Sequence, residues 1–113
     1  MKRNTNEVKR RTAMALATIK RIAGKSEGRY NVALFVSHHL KELDGTYWKK
    51  HAGSAKPNPK AILDLLVLRK HWGADGPDGM DAFDFTLPDE VTNYVISVRF
   101  DENGEIENVS MES

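Results

Sequence analysis

Among its 113 residues the chain has no cysteine, which removes disulfides and thiol nucleophiles from its chemistry and disfavours zinc sites of the finger or ribbon type. A reducing compartment fits that composition. Long apolar runs are missing too. The basic opening MKRNTNEVKRRTAMALATIKR carries charge through every hydrophobic stretch, so it offers no continuous secretory core, and no other segment reaches the roughly 20 apolar residues that a bilayer crossing needs. A cytoplasmic protein without membrane attachment is expected. There is no internal repeat and no low-complexity tract.

What is present is a globular balance, 40% hydrophobic and 29% charged residues, near the average of soluble domains. A single domain over 1–113 is expected, with roughly two-thirds of its unfolded surface buried. The formal net charge of +1 hides a division at Trp72: residues 1–72 hold 16 Lys or Arg against 5 Asp or Glu, a balance of +11, while residues 73–113 hold 1 against 11, a balance of −10. Such a split suits a basic surface for a polyanion, an acidic surface for a cationic partner, or mutual neutralisation of an acidic sheet lying beside basic helices.

The hydrophobic spacing predicts an α+β fold. Asn4 and Glu7 form a capping-box pattern before Val8, Thr12, Ala15, Ile19, Ile22 and Ala23, which recur at helical intervals, and Gly24 supplies a stop. Asn31 is the expected cap of a second helix carrying Val32, Phe35, Val36, His39, Leu40 and Leu43 on one stripe, with Gly45 at its end. TYWKKHAGS reads as a short helical turn. Asn58 and Pro59 then open a third long helix, AILDLLVLRKHW, apolar on most sides. Residues 73–81 are a Gly/Asp-rich connector between this basic helical part, 1–72, and an acidic β part, 82–113. In the latter the period becomes two: Phe83, Phe85 and Leu87, then Tyr94, Ile96, Val98 and Phe100, then a turn at Asp101–Gly104 and a last strand whose parity changes between Ile106 and Val109. A bulge near Asn108 would reconcile that change. The architecture expected is three long helices and a short helical turn on one face of a C-terminal three-stranded antiparallel meander.

Familiar chemistries fit poorly. IAGKSEG resembles a phosphate loop, but Ile19 stands where its first glycine belongs and a helix, not a strand, feeds it. His38 and His39 are adjacent and point about 100° apart on a helix, so they cannot chelate one ion as an i, i+4 pair would; His39, on the apolar stripe, reads as a half-buried, hydrogen-bonded core histidine. Nothing in the spacing makes His51 and His71 converge. Asp75, Asp78, Asp81 and Asp84, and the turn at Asp101–Gly104, lack the glycine and bidentate glutamate positions of a calcium loop. Tyr47, Trp48, Lys49, Lys50 and His51 mix aromatic with basic residues, a composition that can stack bases, though sealing of the helical layer with lysines turned outward accounts for it more simply.

The phrases VSHHLKEL, YWKKHAGSAKPNPKAILDLLVLRKHW and FDFTLPDEVTNYVISVRFDENGEIENVSMES together resemble a small bacterial domain family of unknown function. The resemblance covers residues 30–113 and rests most on Phe83 to Ser113. It implies a bacterial, cytoplasmic origin and assigns no catalytic residue.

With no paired nucleophile and base, no metal spacing and no cofactor loop, the sequence favours a non-enzymatic protein that binds a protein partner or its own copy and needs no cofactor. Candidate partner-binding residues are Glu102, Glu105, Glu107 and Glu112, on or beside the last strand, which could capture a basic partner or pair edge to edge. The alternative is nucleic-acid binding through Lys9, Arg10, Arg11, Lys20, Arg21, Lys49 and Lys50 on the helices.

Overall fold

The computed structural model describes residues 2–74, 76 and 79–113, with side chains from Asn6 onward. Helices come first and an antiparallel sheet follows. The helices are α1 (Lys2–Ile22), α2 (Val32–Glu42), α3 (Gly45–Ala52) and α4 (Pro59–Leu63), and the strands are β1 (Val67–Trp72), β2 (Ala82–Thr86), β3 (Val95–Phe100) and β4 (Ile106–Glu112). The sheet has four strands in the order β1-β2-β3-β4, so the expected meander gains a strand at its front.

That extra strand is the main correction. The expected long helix over AILDLLVLRKHW ends at Leu63, and its second half is β1. Asn58 does cap α4, its Oδ1 accepting from the Ala61 N–H at 2.9 Å, with Pro59 in the first turn. After two tight turn bonds, Leu65 N to Ile62 O and Leu66 N to Leu63 O, the chain straightens. Opposite β2, Leu68 pairs with Phe85 and His71 with Phe83, with a register shift between Leu68 and Lys70. Arg69 is therefore an extra residue, and the two core-facing positions of β1 stand three apart instead of two. A bulged strand thus imitates helical spacing. The connector becomes the loop of the β1–β2 hairpin: Asp81 N donates to Trp72 O and Asp81 Oδ2 accepts from Ala74 N, both at 3.0 Å.

Other local expectations divide. Asn31 caps α2, its side chain accepting from Val32 N. Gly45 opens α3 rather than closing α2, because Asp44 caps α3 by accepting from Tyr47 N at 3.2 Å. Helix α1 starts at Lys2, before Asn4, and the Glu7 carboxylate bonds Arg10 and Arg11 instead of a helix end; the Asn4 side chain lies outside the described residues. The β3–β4 turn forms as expected, with Asp101 Oδ1 accepting from Asn103 N and Glu105 N and Gly104 at φ 79°. Arg99 faces Asn108 and Phe100 faces Ile106, which leaves Glu107 as the extra residue of a bulge beside Asn108.

One face of the sheet is the core. Phe83, Phe85, Ile96, Val98 and Phe100 meet Ala15, Ile19 and Ile22 of α1, Val32, Phe35 and Val36 of α2, Trp48 of α3 and Ile62 and Leu63 of α4. His39 is buried among them. Its Nδ1 lies 2.7 Å from the Phe35 carbonyl and its Nε2 lies 2.9 Å from Thr92 Oγ1; a carbonyl only accepts, so Nδ1 carries the proton and the Thr92 hydroxyl donates to Nε2. Burial, aided by His38, lowers its pKa from 6.5. The unfolded chain then takes up the proton first, so the stabilisation is complete above about pH 6.5 and is lost as the pH falls toward the lowered folded value.

Two outcomes follow from this core. Phe83→Ala is expected to cost about 3–5 kcal/mol in urea unfolding, since Phe83 is fully buried. His39→Asn, which keeps an N–H for the Phe35 carbonyl, should flatten the decline of unfolding free energy between pH 7 and 5; equal slopes for both proteins would show that burial does not lower the His39 pKa.

Candidate functional site

Because strand residues alternate between faces, the neighbours of the core positions form the opposite face, whose concavity is lined by no helix residue among those described. Three rows cross it: Trp72, Ala82, Arg99 and Asn108; Lys70, Asp84, Ser97 and Ser110; and Val67, Thr86, Val95 and Glu112. Of these, Trp72, Arg99, Lys70, Asp84, Ser97, Ser110, Val95 and Glu112 line an open concavity of about 640 Å³, together with Arg69, Asn93 and Ser113. Its floor is polar yet shielded: Asp84 and Ser97 are buried, at 6% and 5% exposure.

A chain of contacts orders the concavity. Ala82 is too small to separate its neighbours in the row, so the Arg99 guanidinium lies 5.1 Å from the centre of the Trp72 ring, a cation–π distance. The indole is itself tied down, Trp72 Nε1 donating to Asp84 Oδ2 at 3.0 Å. Asp84 Oδ1 is buried and meets no donor among the described residues. Arg69, Lys70 and Arg99 are exposed, and none forms an ion pair with a described carboxylate. Arg99 is also the single basic residue of the acidic half.

A second depression, about 260 Å³, adjoins the first and shares Arg69 and Asn93 with it; Val67, Leu87 and Pro88 give it an apolar wall. Its rim holds Asp89 and Glu90 at φ 72° and 51°, two successive left-handed residues costing about 1–3 kcal/mol each. Helix α3 holds this loop. Tyr47 Oη donates to Pro88 O at 3.0 Å, and His51 Nε2 and Lys50 Nζ reach Asp89 Oδ2 at 2.8 and 3.4 Å. The His51 bond, with Lys50, keeps the Asp89 carboxyl below its ordinary range, and burial pushes the Tyr47 phenol up to about 12.

The sequence-derived candidates scatter. Glu102 and Glu105 are at the tip of the β3–β4 turn, Glu107 lines a separate 300 Å³ depression with Arg21 and Asn31, and only Glu112 borders the concavity. Edge pairing by β4 meets an obstacle, because Asn31 Nδ2 donates to the Val109 carbonyl at 3.1 Å. Among the basic candidates, Arg10 and Arg11 hold Glu7 at 2.7 and 2.6 Å, Lys20 holds Asp64 at 3.0 Å and Lys50 holds Asp89. The two arginines keep the Glu7 carboxyl down to about 2. Arg11 also donates to Met80 O at 2.7 Å and lies over the Phe100 ring, a structural bolt more than a free cation. Lys9, Arg21 and Lys49 are exposed. The sequence offered one signal for the missed site, the lone Arg99 in an acidic C-terminal part. The calcium-like spacing includes Asp75 and Asp78, which lie outside the described residues; among those described, no three His, Cys, Asp or Glu gather as a metal set, and no helix is long and apolar enough to cross a membrane.

No family model, curated protein or solved structure matches the chain.

Removing the carboxylate beneath the indole tests how the concavity is ordered. Asp84→Ala should destabilise the fold by about 1.5–3 kcal/mol, as expected for losing a hydrogen bond to a charged acceptor, and should change the exchange rate of the Trp72 indole N–H in NMR spectra. An unaltered indole signal would show that the bond is not formed in solution.

Proposed function

We propose that the chain works by binding rather than catalysis, and that it takes an extended polypeptide partner along the bare face of its sheet. The carrying observation is the pair of adjoining depressions that share Arg69 and Asn93, one polar with cations on its rim, the other walled by Val67, Leu87 and Pro88 with Asp89 and Glu90 at its edge. An extended peptide presents side chains alternately and hydrogen-bonds through its backbone, which suits a trough with Ser97, Ser110 and Asn93 along the polar part and Val67, Leu87 and Pro88 along the apolar part. Nucleic acid fits less well. The one aromatic plate among the described residues of the concavity, Trp72, is occupied by Arg99, and Asp84 and Glu112 would oppose a continuous phosphate backbone. Kinship with the bacterial family resembled by residues 30–113, and a cytoplasmic setting, belong to the same proposal.

A blocking variant tests the location. Peptides selected against the wild-type protein should bind Ser110→Trp, whose side chain projects into the groove, at least tenfold more weakly, and should bind Lys49→Glu, on α3, unchanged. Equal binding to Ser110→Trp, or failure to select any peptide, would count against the reading.

A further inference from the structure

The solvent-facing charge of the concavity is opposite to that of the segment that builds most of it. Residues 73–113 carry a balance of −10, yet the carboxylate at the centre, Asp84, is buried and engaged by Trp72, while Arg69, Lys70 and Arg99 stand exposed around it. The acidic counterpart at the surface is Glu112 on the far strand. A partner entering between β1 and β3 therefore meets cations first.

Resting on the groove reading above, we propose that the recognised feature of the partner is a carboxylate, an Asp or Glu side chain of an acidic polypeptide segment, taken by Arg99 with Lys70 and Arg69 beside it. Asp84 and Trp72 act as positioning residues: the buried carboxylate fixes the indole, and the indole supports the guanidinium at 5.1 Å. An arginine held on an aromatic plate loses less side-chain freedom when it binds, and its planar fork matches a carboxylate with two hydrogen bonds. The arrangement also accounts for a buried aspartate on a face that no described helix residue lines. Ordinary solvation would not require that aspartate to be held beneath a tryptophan, whereas presenting Arg99 does.

The test uses a capped octapeptide alternating Glu with Thr, its Gln-for-Glu and Lys-for-Glu counterparts, and an oligothymidylate, each titrated at low salt against the full chain with backbone amide and arginine side-chain NMR signals followed. The Glu peptide should shift the Arg99 side-chain signal and the Ser97 and Ser110 amides, and should bind at least about tenfold more tightly than the Gln peptide, the scale of a charge-assisted hydrogen bond. Arg99→Gln should remove that preference, and Lys70→Gln should reduce it by a second route. Trp72→Leu should weaken the Glu peptide severalfold in the wild-type background and have no further effect in the Arg99→Gln background, a coupling that simple loss of stability would not produce. Glu and Gln peptides bound equally on this face would overturn the carboxylate inference while leaving the groove reading standing. Preference for the Lys peptide would reverse the polarity, and preference for the oligothymidylate would assign the face to nucleic acid, each overturning it. No shift on this face with any probe would remove both readings.

Discussion

The helices cover one side of the sheet, and the rest of the molecule is arranged around that one-sided burial. Phe83, Phe85, Ile96, Val98 and Phe100 give their side chains to the helical layer, each fully buried apolar side chain contributing about 1.5–3 kcal/mol. Since neighbours along a strand face opposite ways, fixing these five also fixes Ala82, Asp84, Val95, Ser97 and Arg99 on the other side. The concavity is thus the reverse of the core, and its register cannot slip without exposing the aromatic residues.

On that second face, size and charge do what helices do on the first. Ala82 leaves space in which Trp72 and Arg99 meet across it, and Asp84 anchors the indole from below. The bulge at Arg69 adds a further cation to the wall of β1 and sharpens the local twist. Arg69 and Lys70 from the basic half and Arg99 from the acidic half thereby make the exposed groups around Asp84 basic.

The charge division along the chain is partly resolved by folding. Lys50 and His51 of α3 reach Asp89 across the divide, and Arg10 of α1 feels the charge of Glu105 at the hairpin tip. The guanidinium groups of Arg10 and Arg11 lie close over Gly104, where a Cβ would stand 3.0 and 3.2 Å from their Nη2 atoms. Exposed pairs of this kind add little stability individually, but these contacts place the N-terminal helix against the last hairpin and α3 against the strained loop at Asp89 and Glu90. Their effect is to fix where the elements sit.

Local features were legible in the sequence wherever neighbours in the chain decide them. The Asn31 and Asn58 caps, the turn at Asp101–Gly104, the bulge beside Asn108 and the burial of His39 all follow from residue type and spacing within a few positions. The first strand did not, because a bulge put Leu68 and His71 at a helical interval and only pairing with Phe85 and Phe83 draws that stretch into the sheet. The candidate site was hidden for the same reason: Trp72, Asp84 and Arg99 lie on three strands, and their contacts come from cross-strand register. By itself the sequence determined an α+β order and an acidic, alternating C-terminal part; which residues share the bare face was decided by tertiary pairing, since separation along a chain carries no information about which strand lies beside another.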